Sequence, residues 1–153
     1  MIPAIRRAAE ADAGAVRALA QRAYQRYVGR IGRRPAPMDA DYERLIAQGL
    51  VHVIGDPIEG MIVLVPKADH LLVENVAVLP DSQGRSLGRQ LMRFAEEEAR
   101  RLGLQEISLY TNERMTENLA LYARLGYEET ERASGEGFTR VYLRKRVADE
   151  HPG

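Results

Sequence analysis

The chain has 153 residues, with 22 basic and 22 acidic side chains and a formal net charge of zero. That balance argues against a dedicated nucleic-acid binder, which usually carries a strong basic excess. Cysteine is absent, so a disulfide scaffold, a thiolate-ligated zinc and a thiol that carries an acyl group are excluded.

The first periodic segment follows Asp12, where Val16, Leu19, Ala20, Ala23, Tyr24 and Tyr27 recur at helical spacing. Asp12 is placed to cap this helix, and the Gly- and Pro-containing stretch from Gly29 to Met38 is expected to end it. A short helix is expected from Asp39 to Gln48. The period then changes. Leu50–Ile54, Met61–Val65 and Leu71–Leu79 read as strands, the last two stopped by Pro66 and Pro80. Their continuous apolar runs suggest burial on both faces. Helical spacing returns with Leu87, Leu91, Phe94, Ala95, Ala99 and Leu102, with Glu96–Arg100 and Glu97–Arg101 as i,i+4 pairs on the wet side and Gly103 as the stop. Gln105–Tyr110 reads as a strand, Glu117–Leu125 as a short helix, and Tyr127–Arg132 with Phe138–Arg146 as two closing strands. The unit from Leu71 to Tyr110 looks like a βαβ crossover, which makes two parallel neighbours. The expected domain is a single one over 1–147, with a frayed tail at 148–153. Met1–Arg6 lacks a signal-like apolar stretch and no run reaches membrane-spanning length, so the expected location is the cytoplasm, without membrane attachment.

Three local signals carry chemistry. The first is the loop around Gln83-Gly84-Arg85-Ser86-Leu87-Gly88-Arg89, which joins a strand to a long helix. A helix start exposes N–H groups and partial positive charge, so small residues there suit a phosphate; they also suit plain tight packing. The loop is neither a Walker A sequence nor a G-x-G-x-x-G fingerprint. The second is Glu74-Asn75 inside an apolar strand. A carboxylate there is either paired with an arginine or lines a cleft and acts as a base. The third is Asn118 and Tyr122, four apart on one helix face. Tyr122 fits a half-buried core tyrosine, or a general acid near a leaving thiolate. His52, His70 and His151 show no ligand spacing, so no metal is expected.

In this order and spacing the pieces resemble the GNAT superfamily of acyl-CoA-dependent N-acyltransferases. Gln83-Gly84-Arg85-Ser86-Leu87-Gly88 is similar to that family's Q/R-x-x-G-x-G/A pattern, and Asn118, Tyr122 and Gly126-Tyr127 are similar to its second pattern. The resemblance implies an α/β fold: a mixed, mostly antiparallel sheet with one parallel, splayed strand pair and helices on both faces. It implies acetyl-CoA as co-substrate, with no metal. The pyrophosphate would lie on backbone N–H groups from Arg85 to Arg89, the pantetheine arm along Val76-Ala77-Val78, and Asn118 beside that arm. Tyr122 would protonate the departing thiolate and Glu74 would serve as base. Transfer to the amine would be direct, in a ternary complex. Ser86 departs from the pattern, which has glycine there. A helix start needs no positive φ, so serine is expected to be tolerated, with weaker or slightly shifted cofactor binding.

The resemblance places the acceptor between the first two helices and beside the last strands, which implicates Tyr27, Arg33, Tyr110 and Asn112. Arg30, Arg33 and Arg34 would attract a carboxylate or phosphate, or form a plain solvated loop. The acceptor is expected to be a small-molecule amine or a protein amine, and a homodimer is expected. The competing readings are a non-catalytic acyl-CoA-binding module of the same fold and a different α/β protein that holds a nucleotide phosphate on the same loop.

Overall fold

A computed structural model describes residues 4–135 and 137–147, so the tail expected at 148–153 lies outside the described residues. The elements follow the expected order: β1 (Ile5–Arg7), α1 (Ala13–Ile31), α2 (Tyr42–Ala47), β2 (Val51–Ile54), β3 (Gly60–Pro66), β4 (Leu71–Val78), α3 (Leu87–Arg101), β5 (Glu106–Asn112), α4 (Thr116–Arg124), β6 (Glu128–Gly135) and β7 (Phe138–Arg146). The strands form one seven-stranded sheet in the order β1-β2-β3-β4-β5-β7-β6. The pairs β1–β2, β2–β3, β5–β7 and β6–β7 are antiparallel, while β4 runs parallel to β5 with Leu71–Val73 in register with Ile107–Leu109. This is the mixed, mostly antiparallel sheet with one parallel pair that the sequence led us to expect.

The chain divides into two compact units. One runs to Leu64 and includes Asn75–Phe94; the other holds Val65–Glu74 and the chain from Ala95 onward.

In the first unit, α1 buries Val16, Leu19, Ala20, Ala23, Tyr24 and Tyr27 along one stripe. Asp12 does not cap it. Its carboxylate accepts the Ala9 N–H at 2.7 Å and the Arg6 guanidinium at 2.8 and 3.1 Å instead. Gly29 does not end α1 either. The helix runs on to Ile31 and stops at Gly32, which takes φ 88° and donates its N–H to the Val28 carbonyl. One interior glycine costs about 1 kcal/mol, too little to halt a helix already held by its buried stripe. The second helix is shorter than expected, because Ala36–Asp39 forms a 3-10 turn and the Asp41 side chain caps α2 by accepting from Arg44 N.

Strand β2 is buried throughout and β3 from Gly60 to Leu64. Strand β4 departs from the expectation of two buried faces. Leu71, Val73, Asn75 and Ala77 are buried, while the residues between them are partly or fully exposed. Gly60 permits a close approach: a Cβ there would lie 3.0 Å from Ile54, 3.2 Å from the Ala77 carbonyl and 3.2 Å from Leu91. Its bare backbone thus lets β3, the end of β4 and the first turns of α3 pack together.

In the second unit, Ala95 and Ala99 are buried, and Gly103 takes φ 75° after the helix. Leu102 is 41% exposed rather than part of the apolar stripe, because α3 has already ended at Arg101. The charged face includes pairs outside the expected i,i+4 scheme. Arg101 meets Glu98, and Glu96 meets Lys145 of β7, whose ammonium also donates to the Leu125 carbonyl at 2.8 Å. Strand β5 buries Ile107, Leu109 and Thr111, whereas β6 is exposed along its whole length.

Candidate functional site

Adjacent residues of a strand point to opposite faces, and Glu74 and Asn75 show the consequence. Glu74 is exposed, while Asn75 is only 8% exposed. The Asn75 Oδ1 accepts from the Tyr24 hydroxyl, and its Nδ2 donates to the Tyr42 hydroxyl at 2.8 Å. Tyr42 in turn donates to the Pro37 carbonyl, and the Tyr24 oxygen lies 3.0 Å from the Val76 carbonyl. A buried polar chain therefore links α1, β4 and the segment that precedes α2. The sequence marks Asn75 as a polar residue in an apolar strand, but nothing in it assigns Tyr24 and Tyr42 as partners. Asn75→Leu deprives both tyrosines of a buried partner. It is expected to cost about 2–3 kcal/mol and to lower the melting temperature by roughly 5–10 °C. Differential scanning calorimetry checks this, and a loss under one degree would contradict it.

After β4 the Leu79 N–H donates to the Glu59 carbonyl, Pro80–Ser82 makes a 3-10 turn, and α3 begins at Leu87. Gln83 folds back, its Nε2 3.3 Å from the Val78 carbonyl. Between them Gly84 has φ 89° and Ser86 has φ 66°. Ser86 is the one non-glycine residue with positive φ among the described residues, which corrects the expectation that its position needs none. The chain turns through the left-handed region to present the Ser86 carbonyl to Gln90 N at 3.0 Å, and a glycine would do this without strain. Ser86→Gly is therefore expected to stabilise the fold by about 0.5–1 kcal/mol after the entropy of a freer unfolded chain is deducted. That corresponds to a melting point higher by roughly 1–4 °C. A lower melting point in a thermal scan would refute the strain.

Among the described residues the N–H groups from Gly84 through Arg89 have no backbone acceptor. Gly84 and Ser86 take positive φ on either side of Arg85, a backbone pattern that can form an anion-binding concavity, and the start of α3 adds its partial positive charge. Gly84, Arg85, Ser86 and Arg89 are exposed, Gly88 is half-buried and Leu87 is buried. Arg85 is paired with Glu59.

The other expected residues of this unit lie on β4 and α1. Ala77 is buried, and Val76 and Val78 are half-buried. Tyr27 is 2% exposed; its hydroxyl accepts from Arg26 at 2.9 Å, and the Arg26 and Arg30 guanidinium groups lie 4.9 and 5.2 Å from the ring centre. The ring is thus a support beneath arginines rather than an exposed surface. Arg33 is exposed, and Arg34 is engaged by Asp39 and Gln21.

In the second unit, Tyr122 is 4% exposed on α4, with its ring 6.0 Å from that of Tyr127. Burial, with the Glu96 charge and Tyr122 adding to it, pushes the Tyr127 phenol far above its ordinary value. Asn118 donates from Nδ2 toward the Met115 sulfur at 3.7 Å. Tyr110 packs against Tyr142 at 5.8 Å, with the Arg140 guanidinium 5.0 Å from its ring centre. It lines an open pocket of about 440 Å³ with Ser108, Glu106, Glu131 and Tyr142. Asn112 caps the following turn by accepting the Arg114 N–H at 2.9 Å. Among the described residues no group of His, Asp or Glu side chains is placed to hold a metal ion.

These features agree with what the chain is similar to. The family model for the acetyltransferase (GNAT) domain matches residues 47–129, more than half of the chain. The aminoalkylphosphonate N-acetyltransferase of Salmonella typhimurium is 36% identical over 58 residues, a stretch that spans 38% of this chain and 38% of that protein. Among solved structures, the PaiA N-acetyltransferase of Thermoplasma acidophilum in complex with coenzyme A superposes with a TM-score of 0.82 at 15% identity, over 95% of this chain and 99% of that one. The ribosomal-protein-S18-alanine N-acetyltransferase of Escherichia coli gives 0.74 at 19% identity over 99% of each chain. YncA of Salmonella typhimurium, solved with acetyl-CoA, gives 0.73 at 21% identity over 100% of this chain and 98% of that one. The chain belongs to the GNAT acetyltransferases, enzymes that draw an acetyl group from acetyl-CoA.

Proposed function

We propose that this acetyltransferase passes the acetyl group directly to a primary amine, with both substrates bound at once. The observation that supports the reading is the row of N–H groups from Gly84 to Arg89 at the start of α3 that have no backbone acceptor, an arrangement suited to a phosphate group. Acetyl-CoA supplies an activated thioester. In this reading the loop binds the pyrophosphate, Val76-Ala77-Val78 lines the pantetheine arm, and Asn118 contacts the same arm. A backbone N–H of Val76 or Val78 polarises the thioester carbonyl. Tyr122 gives a proton to the departing thiolate. Glu74, exposed on β4, removes a proton from the amine. With no cysteine in the chain, no thiol can carry the acetyl group, and the rate gain comes largely from holding the two reactants in line.

The arginines stacked on Tyr27, together with exposed Arg33, favour an acceptor that carries an anionic group beside its amine. The partial relative that acts on aminoalkylphosphonates supports the same class. The test is thiol release from acetyl-CoA in the presence of an aminoalkylphosphonate, an uncharged alkylamine of equal length and a peptide with a free N-terminus. Preference for the phosphonate supports the reading. Equal rates with all three would remove the anionic requirement, and no release with any would remove the amine acceptor.

A further inference from the structure

Glu59 lies in the connection between β2 and β3 and belongs to neither family pattern, yet its side chain reaches the phosphate loop. Its Oε2 accepts from the Ser82 hydroxyl at 2.8 Å and also meets the Arg85 guanidinium. Its main-chain carbonyl accepts the Leu79 N–H at 2.8 Å. The residues held, 79, 82 and 85, run from the end of β4 to just past Gly84, which takes the left-handed φ of 89° that glycine permits. The Glu59 side chain is 25% exposed and that of Arg85 57%, so the clamp lies against the protein and its outer arm faces solvent.

Two effects of opposite sign follow for an anion bound on the loop. A carboxylate nearby repels it, while a loop already held in its binding shape loses less freedom when it binds. The Arg85 guanidinium offsets the repulsion, and a shared oxygen between an ionised donor and a hydroxyl is a charge-assisted contact, stronger than a neutral one. We infer that Glu59 is a positioning residue for coenzyme A. It holds the loop in its anion-binding shape, and Arg85 serves as the cation of that clamp rather than as a direct ligand of the phosphates. The inference rests on the reading of the loop as the pyrophosphate site.

The test is titration calorimetry of coenzyme A into the wild type, Glu59→Gln, Arg85→Gln and the double variant, each at a temperature where circular dichroism shows it folded. Each single change is expected to weaken binding by about three- to tenfold. The double variant is expected to be no weaker than the poorer single one, because both remove the same pair. A purely structural role would lower the melting temperature and leave the affinity of the folded protein unchanged, and would overturn the inference. So would a Glu59→Gln protein that binds more tightly than wild type, or losses that add in the double variant, which would make Arg85 a direct phosphate ligand. In all these cases the wild type still binds, and the pyrophosphate site stands. A wild type that takes up no coenzyme A overturns that site, and the clamp with it. Arg85→Gln alters an exposed side chain and so keeps the comparison available if Glu59→Gln does not fold.

Discussion

Tyr122→Phe is expected to lower turnover about a hundredfold while the dissociation constant for coenzyme A stays within twofold, since a positioned proton donor contributes about 10²–10⁴ in rate. The substitution removes one oxygen and keeps the buried ring beside Tyr127. The fold should therefore hold, and the two readouts should separate: thiol release falls and calorimetric affinity does not. Equal turnover in the two proteins would return Tyr122 to the other role its helix position allows, that of a core residue. A parallel loss of affinity would show that the hydroxyl binds the cofactor rather than assisting the leaving group.

Gly88→Trp is expected to have a still larger effect on binding, about a hundredfold or more. Gly88 is the second residue of α3, half-buried, and lies within the run of N–H groups that have no backbone acceptor. An indole at that point covers the N–H groups that a phosphate must approach. Because Gly88 is half-buried, the melting temperature is measured beside the affinity, so that loss of the fold is told apart from loss of the site. If affinity survives, the phosphates lie elsewhere.

The helices and strands were legible where a repeat of apolar residues fixes the face. The stripe Val16 to Tyr27 gave α1, and Leu87 to Ala99 gave α3. The end of α1 was not, because Gly29 is a weak stop whose effect depends on the contacts already made, and the left-handed stop fell at Gly32. Strand β4 was found, but its parity was not. A run of apolar residues hides the alternation, and only the contacts of Asn75 with Tyr24 and Tyr42 show that Asn75 faces inward and Glu74 outward. The connection from Gln83 to Arg89 was legible as a tight strand-to-helix turn, whereas its strain was not. The φ of Ser86 follows from the path between the 3-10 turn and α3, which residue type alone does not encode. Glu59 escaped altogether, since its contacts with Ser82 and Arg85 join segments far apart in the chain.

The most direct test of the central claim is a calorimetric titration of coenzyme A into the wild type beside Gly88→Trp. The account predicts one-to-one binding in the micromolar range for the wild type, about −8 kcal/mol, and no measurable heat of binding for the variant. No binding by the wild type at millimolar coenzyme A, or equal binding by the two proteins, would contradict the assignment of the loop from Gly84 to Arg89 as the cofactor site.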